Sequence, residues 1–118
     1  MKTTTEQPVQ NECVKMILPA KDALDVLAGR WRLPVIISIC FGRKRFKEIS
    51  KEINGITDKM LSRELKELEG NQIITRTVYD TFPPTVEYSI TSHGMSLSKV
   101  IMSLRDWGTG HRKKIIGN

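Results

Sequence analysis

Cysteine is scarce in this 118-residue chain: Cys13 and Cys40 are its only thiols, and neither lies near a secretory signature. That excludes the disulfide framework of a small exported domain. Long hydrophobic runs are missing too. The longest largely apolar stretch, Leu33 to Phe41, falls far short of the roughly 18 residues a membrane span needs, and Met1 to Glu12 is polar with no apolar export segment. A cytoplasmic location with no membrane partner is expected. The two histidines, His93 and His111, are separated from each other and from both cysteines by spacings that match no metal site, so no metal ligand and no cofactor is expected. There is no phosphate-cradling glycine loop, no nucleophile motif and no paired-carboxylate pattern, which leaves an enzyme little support, although catalytic groups can converge from distant positions. No internal repeat or low-complexity tract interrupts the chain, and 13.4 kDa fits one domain able to bury a core without disulfides or metals.

What is present is positive charge, unevenly placed. The formal net charge is +6; residues 33–76 carry nine Lys/Arg against six acids, and residues 105–118 carry four against one. The densest cluster is Arg43, Lys44, Arg45 and Lys47. Such a run fits either a solvated surface or a phosphate-facing one, and position decides between them.

Residues 1–18 are expected to form an arm, polar at first and apolar by Met16, Ile17 and Leu18. Ala23, Leu24, Leu27 and Ala28 recur at helical spacing up to Gly29, which is placed to stop a short helix. From Leu33 to Phe41 the chain is apolar and β-branched, compatible with a buried helix or strand; Pro34 in a first turn and Gly42 at the end favour helix. Phe46, Ile49 and Ile53 then share one helical face opposite Lys47, Glu48, Lys51 and Glu52, with Gly55 beyond. Thr57 is placed to cap a following helix whose apolar stripe is Met60, Leu61, Leu65 and Leu68, ending at Gly70. Ile73 to Asp80 and Val86 to Ile90 read as strands of a hairpin around the turn from Thr81 to Thr85, where Pro83 and Pro84 are confined to the loop. Thr91 or Ser92 caps a last helix with Leu97, Val100, Ile101, Leu104 and Trp107 on one side.

Two short helices meeting at a glycine-containing turn, followed at once by a hairpin, predict an α+β, mainly helical winged helix-turn-helix: a helical core, a β-hairpin wing and terminal dimerisation helices. Residues 19–108 form this domain, with the dimerisation helix at about 92–108 and a basic tail at 109–118. Asp58, Lys59, Ser62, Arg63 and Lys66 face away from the apolar stripe of the second helix. Lys59, Ser62 and Arg63 are the expected base-reading residues, because the N-terminal half of such a helix reaches base edges and an Arg fork matches guanine O6 and N7. Alternatively, Arg63 is an exposed helical Arg balanced by Glu67. Arg43, Lys44, Arg45, Lys47, Thr57, Lys66 and Arg76 are expected on the DNA backbone. The one-sided stripe Leu97, Val100, Ile101, Leu104 and Trp107 either covers the core or meets the same helix of a second subunit.

These residues resemble the HxlR-type family of bacterial winged-helix regulators over nearly the whole span from Pro19 to Trp107. The resemblance is carried by Ala23-Leu24-Asp25-Val26-Leu27 running into Gly29-Arg30-Trp31, by Arg45-Phe46 with Glu48-Ile49, and by Gly55-Ile56-Thr57 with Met60-Leu61-Ser62. Leu65-Lys66-Glu67-Leu68-Glu69, Pro83-Pro84 with Val86-Glu87-Tyr88-Ser89-Ile90-Thr91, Gly94 and Trp107-Gly108 complete it. It implies homodimers built from terminal helices, palindromic double-stranded DNA operators, and genes switched by small electrophiles, oxidants or other metabolites. Where many members carry a Cys just before the first proline, this chain has Leu18 before Pro19, and Cys13 is the nearby thiol left as a redox-sensor candidate. Cys40, in an apolar run, reads as a small buried hydrophobe. Trp31 and Trp107 suit a small-molecule pocket or plain packing. The sequence therefore points to a sequence-specific regulator, with repression the default and an unknown small-molecule or redox signal. The competing reading is a winged-helix protein-interaction module without specific DNA binding.

Overall fold

The computed structural model describes residues 10–117; residues 1–9 of the expected arm and Asn118 of the expected tail lie outside them. In chain order the elements are α1 (Gln10–Leu27), α2 (Arg32–Cys40), α3 (Phe46–Glu52), α4 (Asp58–Gly70), β1 (Ile74–Tyr79), β2 (Thr85–Ile90), α5 (Ser92–Met95) and α6 (Ser98–Ile115).

The apolar run after Trp31 is a helix. Pro34 sits in its first turn, where the missing N–H is harmless, and Val35, Ile36 and Ile39 turn into the core while Ile37 looks outward. Helix α3 starts where the extended Arg45 donates its backbone N–H to the Glu48 carboxylate at 2.7 Å, and it contributes Ile49 to the interior. At the start of α4 the Thr57 hydroxyl accepts the Met60 N–H at 3.1 Å, satisfying one of the helix's orphan donors.

Leu61, Leu65 and Leu68 are essentially fully buried, each such side chain worth about 1.5 to 3 kcal/mol over exposure. Met60, expected among them, lies at the edge of the stripe and is 36% exposed. The helix also ends differently from expectation. Gly70 remains helical, and Gln72 takes the left-handed conformation at φ 61° so that Ile73 N–H bonds Leu68 O (2.9 Å) and Gln72 N–H bonds Glu69 O (3.0 Å). This paired cap brings buried Ile73 onto buried Leu68, a gain that offsets the unfavourable φ.

β1 and β2 pair antiparallel with Ile74 opposite Ile90, Arg76 opposite Tyr88 and Tyr79 opposite Thr85. Lys44 joins as a one-residue third strand, exchanging both backbone hydrogen bonds with Tyr88 at 2.8 and 3.0 Å. The core thus lies between α2, α3 and α4 on one side and the base of the hairpin on the other.

The ends depart most from the sequence reading. The segment read as an arm up to residue 18 is helical from Gln10, and α1 continues through Pro19 to Leu27. A proline inside a helix removes a hydrogen bond, but residues 11–25 are exposed, so the released carbonyl is open to solvent. The expected single helix from residue 92 is two: α5, whose cap is Thr91 Oγ1 accepting the Gly94 N–H at 2.8 Å, and α6. Helix α6 also runs on through the expected tail to Ile115. Arg112, Lys113 and Lys114 sit in its last turn, where cations suit the helix dipole, and Gly117 closes it at φ 88°.

Candidate nucleic-acid interface

Burying Leu61, Leu65 and Leu68 forces the other side of α4 outward, and Asp58, Lys59, Ser62, Arg63 and Lys66 are all exposed there. Among the described residues none of Lys59, Arg63 and Lys66 forms an ion pair, so the Arg63–Glu67 pairing is not made. Two shallow hollows meet along this helix. One, of about 410 Å³, is lined by Lys59, Ser62, Arg63, Lys66 and Glu67. The other, of about 400 Å³, runs between α4 and the hairpin and joins Ser62 and Lys66 to Arg76, over a floor that includes Phe46, Leu65 and Tyr88. Three of the residues expected to touch DNA, from two elements, therefore line one groove. Asp58, in the first turn of α4, faces the helix N-terminus favourably.

The basic strip at residues 43–47 is not one surface. Strand alternation places Arg76 and Tyr88 on one face of the hairpin, whereas Arg43 lies beside Thr77, Tyr79 and Ser89 on the other, 3.5 Å from the Tyr79 hydroxyl. Lys44 is turned inward. Its ammonium is 2.6 Å from Glu52 Oε2, its side chain is 16% exposed, and Ser38 donates to the other oxygen of the same carboxylate at 2.7 Å. Those two hydrogen bonds, Lys44 first, hold Glu52 below the usual carboxylate range. Lys44, expected on a phosphate, is here set against Glu52, a strut from the hairpin base to α3. Arg45 and Lys47 remain exposed at the start of α3, and Thr57 is occupied as a cap.

A second strut escaped the sequence reading. Arg32 Nε stands 2.8 Å from Glu64 Oε1, with both side chains about 15% exposed, and its guanidinium also reaches Asp25 O near the end of α1 at 3.4 Å. Helix α4 is thereby tied to α2 and α1. No local pattern links residues 32 apart, so this pairing leaves no trace in the sequence.

The stripe expected for dimerisation divides. Leu97 and Ile101 pack against the protomer's own core, while Val100, Leu104 and Trp107 are exposed, Trp107 by 70%, with its ring stacked on His111 at 4.8 Å. Helix α1 adds exposed Val14, Met16, Ile17, Leu18 and Leu24. Cys13 is exposed on α1, and Cys40 is part-buried, with its thiol pKa raised by desolvation. Trp31 packs beside the α3–α4 turn under the Arg30 guanidinium, 4.8 Å from its ring. Among the described residues no His, Cys, Asp and Glu side chains are grouped as metal ligands, and no helix is long and apolar enough to cross a membrane.

Comparison with known proteins gives the same architecture. A family model described as HxlR-like helix-turn-helix matches residues 26–115. The HTH-type transcriptional regulator YdeP of Bacillus subtilis (strain 168) is 39% identical over 97 residues, spanning 82% of this chain and 76% of its own. The solved structure of the redox regulator HypR in its reduced form matches with a TM-score of 0.79 at 35% identity, covering 85% of this chain and 99% of that one. The reduced form of the regulator YodB from B. subtilis matches with a TM-score of 0.73 at 35% identity, over 83% and 92%. The chain belongs to the HxlR-like helix-turn-helix family of transcriptional regulators.

Proposed function

We propose that this protein is a sequence-specific, double-stranded-DNA-binding repressor that acts as a homodimer on a palindromic operator. The observation that carries the reading is the outward face of α4, where Lys59, Ser62, Arg63 and Lys66 stand exposed beside Arg76 of the hairpin. Helix α4 lies in the major groove, Lys59, Ser62 and Arg63 read base edges, and Arg45, Lys47, Lys66 and Arg76 hold phosphates.

Dimerisation is supported by shape. A compact chain of this length has a radius of gyration of roughly 13 to 14 Å. This protomer has 18.0 Å, because α1 and α6 project with apolar side chains unburied. Pairing those helices across a two-fold axis covers the exposed stripes and sets the two α4 helices about one turn of DNA, roughly 34 Å, apart. Oxidants are the effector class that the description of HypR suggests, and Cys13 on exposed α1 is the candidate receiver.

The test is anisotropy titration of a site selected from random duplexes, repeated across salt. Affinity should fall about 10³ to 10⁵ fold between 50 and 200 mM salt if six to ten phosphates are held. Arg63→Ala should lose about 1 to 3 kcal/mol on the selected site and little on random DNA. Equal losses on both would remove Arg63 from base reading, and failure to enrich any sequence would end the specific-binding proposal.

A further inference from the structure

The tip of the hairpin carries an aromatic side chain that no described residue covers. Phe82 is fully exposed, in the loop that joins Tyr79 to Thr85. Isolated exposed apolar residues are common on protein surfaces and by themselves signify little. The setting of this one is more specific.

The loop is braced from within. Thr81 N–H donates to Tyr79 O at 2.9 Å, Thr81 Oγ1 donates to Pro83 O at 2.8 Å, and the Thr81 and Thr85 hydroxyls meet at 3.0 Å. Pro83 and Pro84 remove further backbone freedom directly after the aromatic. The ring is therefore presented on a stiffened support, which lowers the ordering cost of a contact.

The tip is also poorly made for phosphate. From Thr77 to Thr91 the chain contains no Lys or Arg, and its charges are Asp80 and Glu87. An approach by charge is closed to this loop; Asp80 repels a phosphate. The cations beside the hairpin among the described residues include Arg76, which lines the groove beside α4, and Arg43, on the opposite face near the Tyr79 hydroxyl.

Tyr79 lies three strand steps beyond Arg76, about 10 Å of extended chain before the loop begins. The minor groove of B-form DNA is about 7.5 Å deep. A hairpin whose Arg76 rests at the phosphate rim thus has the reach to bring its tip to the groove floor, where apolar wedges act by partly unstacking a base step.

We propose that Phe82 is a minor-groove wedge: with α4 in the major groove, its ring enters the adjacent minor groove, contacts sugar and base edges, and opens one flexible step. This deepens the DNA-binding reading above and rests on it. The ligand class is duplex DNA with a deformable pyrimidine–purine step (TA or CA/TG) flanking each half-site, since such steps are the easiest to unstack. Phe82 then adds specificity at positions α4 does not touch.

The experiment uses the full-length protein on its selected operator, with 2-aminopurine placed in turn at each flanking step and with Phe82→Ala, Phe82→Leu and Arg76→Ala variants. All should fold, since both positions are exposed, and circular dichroism checks this. Wild type should brighten 2-aminopurine at one step per half-site. Phe82→Ala should abolish that signal and weaken binding about 5- to 150-fold, the range of one base–aromatic contact. Its salt slope should stay unchanged, because no phosphate partner is lost, whereas Arg76→Ala should reduce the slope by about 0.9 without removing the fluorescence change. Phe82→Leu should retain part of both the signal and the affinity. Wild-type operator binding with no brightened step, or Phe82→Ala binding within twofold of wild type, overturns the wedge alone. Failure of wild type to select any DNA overturns the DNA-binding reading and the wedge with it. Self-association lost in Phe82→Ala assigns the ring to a second copy of the chain and overturns the wedge as well.

Discussion

Replacing Gly94 with alanine should damage this fold more than any other glycine-to-alanine change among the described residues. An added Cβ at Gly94 falls 2.3 Å from Ile73 O and 2.6 Å from Ile90 Cδ1. The isoleucine methyl has some room to turn; the carbonyl does not. Ile73 O accepts both the Thr91 N–H and the Thr91 hydroxyl at 3.0 Å, and Thr91 in turn caps α5 through the Gly94 N–H. Reaching ordinary contact requires a displacement of about 1 Å, which breaks at least one of those bonds. Overpacking strain of about 1 to 3 kcal/mol and one or two hydrogen bonds of about 1 kcal/mol each sum to about 2 to 5 kcal/mol. A domain of this size should lose roughly 10 to 20 °C in Tm. The control is Gly70→Ala, at the last residue of α4 with open space around its Cβ position, which should gain up to about 0.5 to 1 kcal/mol because alanine leaves the unfolded chain less conformational freedom to lose. Urea unfolding followed by circular dichroism, at one fixed protein concentration, measures both. If Gly94→Ala unfolds within 0.5 kcal/mol of wild type, the close packing of α5 on the β1 entrance is wrong.

Three other perturbations probe separate parts of the molecule. Arg32→Ala, Glu64→Ala and their combination should give a coupling of about 1 to 2 kcal/mol in a double-mutant cycle, above that of a surface pair because both side chains are mostly covered; additive single losses would contradict the strut. Thr57→Ala should cost about 1 kcal/mol and Thr57→Asp should restore most of it, read by the same unfolding assay; a neutral Thr57→Ala would show that the α4 cap carries no energy. Glu52, held below the usual carboxylate range, stabilises the native state fully above the unfolded carboxylate pKa and loses that contribution as pH falls through the lowered native value. Glu52→Gln should therefore narrow the gap in Tm between pH 7 and pH 4, and an unchanged acid limb would sever Glu52 from the acid sensitivity.

The helix-turn-helix and wing were legible because their determinants are local. The stripe Leu61, Leu65 and Leu68, the cap at Thr57 and the alternation Val86, Tyr88, Ile90 each specify their element within a few residues. The outward face of α4 follows from that stripe by geometry alone. The ends were misread, the first as an arm up to residue 18 and the last as a tail from residue 109, although exposed helices tolerate the internal Pro19, Gly108 and Gly110 at a cost. Ion pairing was opaque for another reason. Lys44 belongs to a dense basic cluster in the sequence, and only folding sets its ammonium against Glu52 and Ser38. The division of the α6 stripe was equally hidden: Leu97 and Ile101 differ from Val100 and Leu104 only in what stands opposite them.

The backbone exchange between Lys44 and Tyr88 restricts how a regulator built this way is switched. With the residue that introduces α3 stitched to the middle of β2, the helix-turn-helix and its flanking hairpin cannot separate at this point without rupturing main-chain bonds beside the interior. Each protomer's helix-turn-helix and wing thus form one rigid unit. On the dimeric operator-binding reading proposed above, release would depend on the separation and tilt between two such units, set by the protruding end helices.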